Sequence, residues 1–180
     1  TIPEATLSTD MIVGFPGETA EDFEQTLSLT EAAQYHSMFS FKYSPRPNTR
    51  ALKRLPDDVS EEEKTARIVA LQSLQREIQT RLHEQAVGTT VEVLIDSASR
   101  RRDSEMSGRT SGNTVVNCVI PGRGAWDSAP GPADSGPRIP DRGNASDWIG
   151  RTIQVRVRRA GPHSLWGDAV VPNVRRAAAG

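Results

Sequence analysis

The spacing of apolar residues changes period along this chain, and each change marks a new element. Ser8 to Val13 is a short run with β-branched and apolar residues that ends in Gly14-Phe15-Pro16-Gly17, and Glu18-Thr19 then opens an acidic, helix-forming segment. This order predicts a strand, a tight loop and a helix. Thr19, with Asp22 three residues on, predicts an N-cap with an acidic first turn, which suits the free N–H groups and the helix dipole. Phe23, Leu27 and Thr30 mark one face of the helix to about Ala33. Phe39, Phe41 and Tyr43 then alternate with polar neighbours, which predicts a second strand. Strand, helix and strand within so few residues form a βαβ unit, with parallel strands and a right-handed crossover. A parallel sheet needs both faces covered, so two strands predict the end of a larger α/β domain. The absence of an initiator Met at Thr1 fits a start inside a longer chain.

Ser60-Glu61-Glu62-Glu63 predicts a capping box, with Ser60 at the cap and Glu63 reaching back. The helix is expected over residues 60–85, about 37 Å long at about 1.5 Å per residue, with Ile68, Leu71, Leu74, Ile78 and Leu82 on its apolar stripe. After Val87-Gly88 the period falls to two. Strands are predicted at Thr90 to Asp96, at Met106 to Thr110 and Asn113 to Val119 as a hairpin about Ser111-Gly112, around Ile153, Val155 and Val157, and at Leu165 to Val171. Five short strands with glycine turns predict a small closed antiparallel barrel of the oligonucleotide-binding kind. The fold class expected is therefore α/β followed by all-β: a first domain over 1–85 and a barrel over 86–172. Residues 121–147, rich in Gly, Pro, Ser and Asp, are expected to be a flexible loop within the barrel, and 173–180 a frayed tail.

Composition narrows the function classes. No run of eighteen apolar residues is present, so no membrane-spanning segment is expected, and Thr1 to Thr6 does not resemble a signal peptide. The single cysteine, Cys118, excludes an internal disulfide and fits a reducing, cytoplasmic setting. It also leaves the chain without the three thiolates that a cysteine-ligated iron–sulfur cluster needs. The net charge of −1 conceals a division: residues 1–80 hold 8 basic and 13 acidic side chains, whereas residues 81–180 hold 14 and 10, with every base an arginine. Arginine's planar fork suits phosphate, so the basic half favours a nucleic-acid partner. A GC-rich genome would produce the same bias.

Three stretches carry candidate chemistry. Two glycines three apart, Gly14 and Gly17, allow a sharp turn and close approach to a ligand at the carboxyl end of a strand, or simply a compact strand-to-helix connection. Tyr43-Ser44-Pro45-Arg46-Pro47-Asn48-Thr49 is a proline-stiffened loop whose Arg46 could meet a carboxylate or phosphate, or remain solvated. His36, His83 and His163 show no metal-ligand spacing.

Together, Ser8 to Thr19, Phe39 to Thr49 and Gly108-Arg109-Thr110 with Val115-Val116-Asn117 resemble the C-terminal portion of radical S-adenosylmethionine methylthiotransferases. Val115-Val116-Asn117 is similar to the branch that forms 2-methylthio-isopentenyladenosine beside the tRNA anticodon. It is less like the branches acting on threonylcarbamoyladenosine or on a ribosomal protein. Two positions depart from the pattern: Cys118 stands where Phe is usual, and Asn48 where Gly is usual, although Asn tolerates the left-handed conformation.

The resemblance implies that the first half closes a radical-enzyme barrel of the partial TIM type and that residues from about 86 form a TRAM domain that binds RNA. It implies S-adenosylmethionine and two [4Fe-4S] clusters as cofactors, one of them held by a CxxxCxxC motif. Those cysteines are absent here, so this chain alone is expected to be inactive, with the missing N-terminal part of the enzyme as a partner. Ile12 and Gly14 would pack on the cofactor adenine, with Asp10 and Glu18 orienting polar groups and Arg46 contacting a charged group. Arg100, Arg101, Arg102, Arg109, Arg156 and Arg158 would meet phosphates of the tRNA anticodon stem-loop. Trp126, Trp148 and Trp166 could stack on bases, although Trp166, within a strand, is expected in the core. The competing expectation is a stand-alone RNA-binding module without enzymatic parentage.

Overall fold

The computed structural model describes residues 5–99, 105–120 and 148–170. Arg100, Arg101, Arg102, Trp126, the 121–147 loop and the 173–180 tail lie outside them. The chain divides into two compact units, Thr1–Leu82 and His83–Gly180.

In the first unit, strand β1 (Ser8–Val13) leads through the glycine loop into helix α1 (Ala20–Ala33), which returns to strand β2 (Ser37–Lys42). The strands pair in parallel, from Ser8 beside Ser37 to Val13 beside Lys42. Thr19 caps α1 reciprocally: its Oγ1 accepts from the Asp22 N–H at 3.1 Å, and the Asp22 carboxylate accepts from the Thr19 N–H at 2.9 Å. A short helix, α2 (Arg50–Arg54), follows, with Thr49 as its N-cap, and then α3 (Glu61–Gln85).

The core of this unit joins Val13, Phe23 and Leu71, with Met11, Leu27, Met38 and Ile68 packed around them. Strand alternation sends Met11 and Val13 to the helices, which leaves Ile12 on the opposite side of the sheet. Ile12 lies beside Phe41 and Asp10 beside Phe39. Ile12, Phe39 and Phe41 are 56%, 67% and 52% exposed. The aromatic alternation of β2 therefore marks a sheet face that, among the described residues, has no helix on it.

Helix α3 differs from its predicted stripe. Its most buried line is Lys64, Arg67, Leu71, Gln75 and Ile78, at a continuous helical phase, whereas Ile68, Leu74 and Leu82 are half-buried. The predicted capping box also needs correction. Ser60 Oγ accepts from the Glu63 N–H at 3.1 Å, but the Glu63 carboxylate turns along the helix to Arg67 instead of back to the cap. A buried guanidinium one turn away is the stronger attraction for that charge.

The second unit is a closed barrel of β3 (Thr90–Ala98), β4 (Glu105–Arg109), β5 (Val115–Val119), β6 (Thr152–Ala160) and β7 (Leu165–Ala169), in the order β3-β4-β5-β7-β6. The β5–β7 pair is parallel and the others are antiparallel. The closed five-stranded barrel expected from the sequence is thus borne out, but it is not antiparallel throughout: β5 and β7 are not joined by a hairpin, and their pairing is parallel. Val93, Ile95, Met106, Val116, Cys118, Trp148, Val155, Val157 and Leu165 fill its interior.

The pairs β3–β4 and β6–β7 repeat one design. Both long strands carry a register shift, between Ile95 and Ser97 and between Val157 and Arg159. Each short partner has a glycine at the tightest point. A Cβ on Gly108 would collide with the Leu94 carbonyl and stand 2.7 Å from Val93 Cγ1, and one on Gly167 would collide with the Arg156 carbonyl and stand 2.7 Å from Val155 Cγ1. Bulges with bare glycines opposite them let two short hairpins curve enough to close a five-stranded barrel.

Candidate functional site

In the first unit, the carboxyl ends of β1 and β2 lie side by side and release two loops from one edge. The Tyr43 N–H donates to the Val13 carbonyl at 2.8 Å, and the rings of Phe15 and Tyr43 meet edge to face at 5.1 Å. Gly14 and Gly17 adopt φ of 70° and 85°, so both glycines sit in the left-handed region. Asn48, in the second loop, has φ of 67° and takes the conformation that glycine would supply. Arg46 is exposed in that loop, and its carbonyl accepts from Thr49 Oγ1 at 2.8 Å.

The first two turns of α3 hold the glycine loop from beneath. The Glu18 carboxylate accepts from the Gly14 N–H and from Arg67, whose Nη1 also reaches the Glu18 carbonyl at 3.0 Å; Arg67 Nη2 pairs with Glu63. Arg67 is 5% exposed and Glu18 11%. Burial works against the Arg67 charge, but its hydrogen bond to Glu18, together with the charges of Glu18 and Glu63, raises its pKa above the usual value. Lys64, 2% exposed, directs Nζ to both oxygens of Asp57 at 2.7 and 2.8 Å, and this hydrogen bond raises its pKa against the cost of burial. The Asp58 carboxylate receives the Gly17 N–H at 2.8 Å. The stem of Lys64 passes directly over Gly14, where a Cβ would collide with Lys64 Cγ and stand 3.1 Å from Cδ. Gly14 is thus required twice, by its φ and by the lysine above it.

Ile12, Gly14, Glu18 and Arg46 therefore gather on and beside one sheet edge, but with different freedom. Ile12 faces outward and Arg46 is exposed, whereas the Glu18 carboxylate is engaged in holding its own loop. Lys64, Arg67, Asp57 and Asp58 were not singled out in the sequence. The available signal was phase: positions 64, 67 and 71 fall on one helical line, so a cation there lies under the stripe.

On the barrel, Arg109, Arg156 and Arg158 are exposed on outward positions of β4 and β6. Arg109 donates to Asn113 Oδ1 at 2.9 Å and lies 3.8 Å from Asp96, and Arg158 donates to Asp168 at 2.8 Å. Two of the three thus have an acidic neighbour at the surface. The tryptophans exchange their expected places. Trp148 is 9% exposed within the barrel core, whereas Trp166 projects outward, because Leu165, Gly167 and Ala169 of β7 are the inward positions. Its ring carries the Arg159 guanidinium at 4.3 Å and leans on Gly161, where a Cβ would lie 2.7 Å from Trp166 Cζ3. His83, buried at the end of α3, meets the Gly161 carbonyl through Nδ1 at 2.6 Å.

Curated relatives align with nearly the whole of this chain. A protein of Solibacter usitatus named tRNA-2-methylthio-N(6)-dimethylallyladenosine synthase is 41% identical over 163 residues, which is 91% of this chain and 32% of that protein. Proteins of the same name from Burkholderia ambifaria and Burkholderia vietnamiensis are each 40% identical over 169 residues, 94% of this chain and 32% of theirs. This chain is a homologue of one third of these synthases. The family resemblance carried by the glycine loop, the Arg46 loop and the Gly108 to Asn117 hairpin is borne out by them. No family model matches the chain. The closed barrel of the second unit is compatible with the small TRAM-like barrel that the resemblance implies. Among the described residues, no helix is long and apolar enough to cross a membrane.

Proposed function

We propose that this chain forms the C-terminal third of a cytoplasmic tRNA methylthiotransferase that acts on the adenine C2 of N6-dimethylallyladenosine beside the anticodon. Its first unit would be the closing part of a radical S-adenosylmethionine barrel, and its second a TRAM domain that grips tRNA. The observation that carries the reading is the 40% identity over 94% of the chain to synthases of that name. The exposed face of Ile12, Phe39 and Phe41 supports it, because the strands of such a barrel turn an apolar face away from the helices toward the cofactor.

The residues present fit S-adenosylmethionine as one wall of its pocket. Ile12 would offer apolar surface to the adenine, and Gly14, buried under the Lys64 stem with its N–H taken by Glu18, would shape the adjoining loop. Arg46, exposed at the same sheet edge, would meet a carboxylate or phosphate. Glu18, with Arg67 and Lys64 beneath it, would act by positioning the loop. When bound, S-adenosylmethionine would supply the radical and the methyl group of the reaction. The [4Fe-4S] clusters do not fit this chain: its one thiol, Cys118, is buried in the barrel, and burial, followed by the charges of Glu105 and Asp168, pushes its pKa up to about 12. Their ligands would come from the rest of the enzyme.

Nucleoside mass spectrometry of tRNA from a strain lacking the gene tests the proposal. Loss of the 2-methylthio group with the dimethylallyl group retained is expected. Unchanged tRNA in that strain would overturn the assignment.

A further inference from the structure

The outward face of the barrel carries one lateral row of side chains that crosses all five strands. Register places Ser97 beside Ser107, Ser107 beside Asn117, Asn117 beside Trp166 and Trp166 beside Arg159. With neighbouring strands about 4.8 Å apart, the row extends roughly 19 Å. All five residues line one open groove, with Arg109, Asp96, Glu105 and His163 also at its wall.

The chemistry of this groove differs from that of a phosphate track. Among the described residues, its two arginines are matched by two carboxylates, and Arg109 already lies 3.8 Å from Asp96. What it offers instead is a flat ledge, the Trp166 indole under the Arg159 guanidinium, followed by the Asn117 amide and then the hydroxyl groups of Ser107 and Ser97. An unpaired base presents a π-face and a hydrogen-bonding edge, and aromatic rings and guanidinium planes are the surfaces on which such bases stack. The ledge is also braced from behind: Gly161 lies close against Trp166, and His83 ties down the Gly161 carbonyl. That bracing limits ring motion and favours stacking as a rigid surface.

We propose that Trp166 and Arg159 form a stacking ledge for one unpaired RNA base, whose edge is read by Asn117 and Ser107. This rests on the tRNA reading above and deepens it: the barrel would recognise single-stranded loop nucleotides through bases as well as through phosphates.

The test uses the 180-residue chain and two labelled RNAs of equal length, a hairpin with an unpaired loop and a blunt duplex, with binding followed by fluorescence anisotropy over a salt series. Trp166→Leu is expected to weaken hairpin binding by roughly 5- to 150-fold, the range of one lost base stack. Its salt slope should stay at the wild-type value, because no charge is removed. Duplex binding should change little, and Trp166→Phe, which keeps a ring, should recover most of the loss. Asn117→Ala should weaken hairpin binding without altering the melting midpoint, so the ledge can be tested even where Trp166→Leu perturbs folding. Hairpin affinity unchanged in Trp166→Leu and Asn117→Ala, or an equal loss for hairpin and duplex, would overturn the ledge and leave the tRNA reading standing. A wild-type chain that binds neither RNA at low salt would overturn both.

Discussion

Replacing Gly14 by alanine tests how the glycine loop is held. Two costs are expected. At φ of 70° an L-residue is strained by about 1–2 kcal/mol relative to glycine. The new Cβ would also collide with Lys64 Cγ and crowd Cδ at 3.1 Å and Cε at 3.2 Å, and Lys64 is 2% exposed, so its stem has little room to yield. Overpacking of this kind costs about 1–3 kcal/mol, giving a total of about 2–5 kcal/mol. Gly17→Ala is the internal control: its φ is 85°, but a Cβ there meets nothing within 4 Å, so only the backbone cost applies. Urea unfolding followed by far-ultraviolet circular dichroism, which reports the helices of this unit, should therefore separate the two variants by at least about 1 kcal/mol. A Lys64→Ala background should shrink that gap, because the stem that the methyl group strikes has gone. Equal losses for Gly14→Ala and Gly17→Ala would refute the packing of Lys64 over the loop.

Arg67→Met leaves the 11% exposed Glu18 carboxylate without its cation and should cost about 3–5 kcal/mol, whereas Glu18→Gln, which retains an acceptor for the Gly14 N–H, should cost less; equal midpoints in denaturant would contradict the clamp. Asp22 is held below its usual 3.8, first by hydrogen bonds from Thr19, and Glu61 below 4.5, first by Lys42, so their contributions persist at neutral pH and fade as acid drives the pH through the lowered values. Lys64, raised above 10.5 by Asp57, contributes up to that pH and is lost only as alkali carries the pH higher. The melting midpoint should accordingly be flat between these limits, and Asp22→Asn should flatten the acid limb. Cys118, with its pKa pushed up to about 12 and its side chain buried, should resist iodoacetamide at neutral pH until the barrel unfolds; alkylation of the folded chain at the rate of a free thiol would count against that burial.

Local chemistry was enough to read much of the fold. The Thr19–Asp22 cap and the two-residue period of the barrel strands each depend on neighbours close in sequence, so residue type and spacing suffice. The family resemblance was legible for the same reason, since its motifs are continuous stretches of loop and strand. Burial of charge was not legible in this way. Lys64 and Arg67 look like solvated residues at the start of an acidic helix, and only the packing of α3 beneath the Gly14 to Glu18 loop, some fifty residues away, makes them core. Strand direction decided the rest. Which face of β2 meets the helices determines that Phe39 and Phe41 stay uncovered, and which face of β7 points into the barrel turns Trp166 outward while Trp148 fills the interior. Period-two alternation specifies that a strand has two faces, but only tertiary packing chooses the inner one.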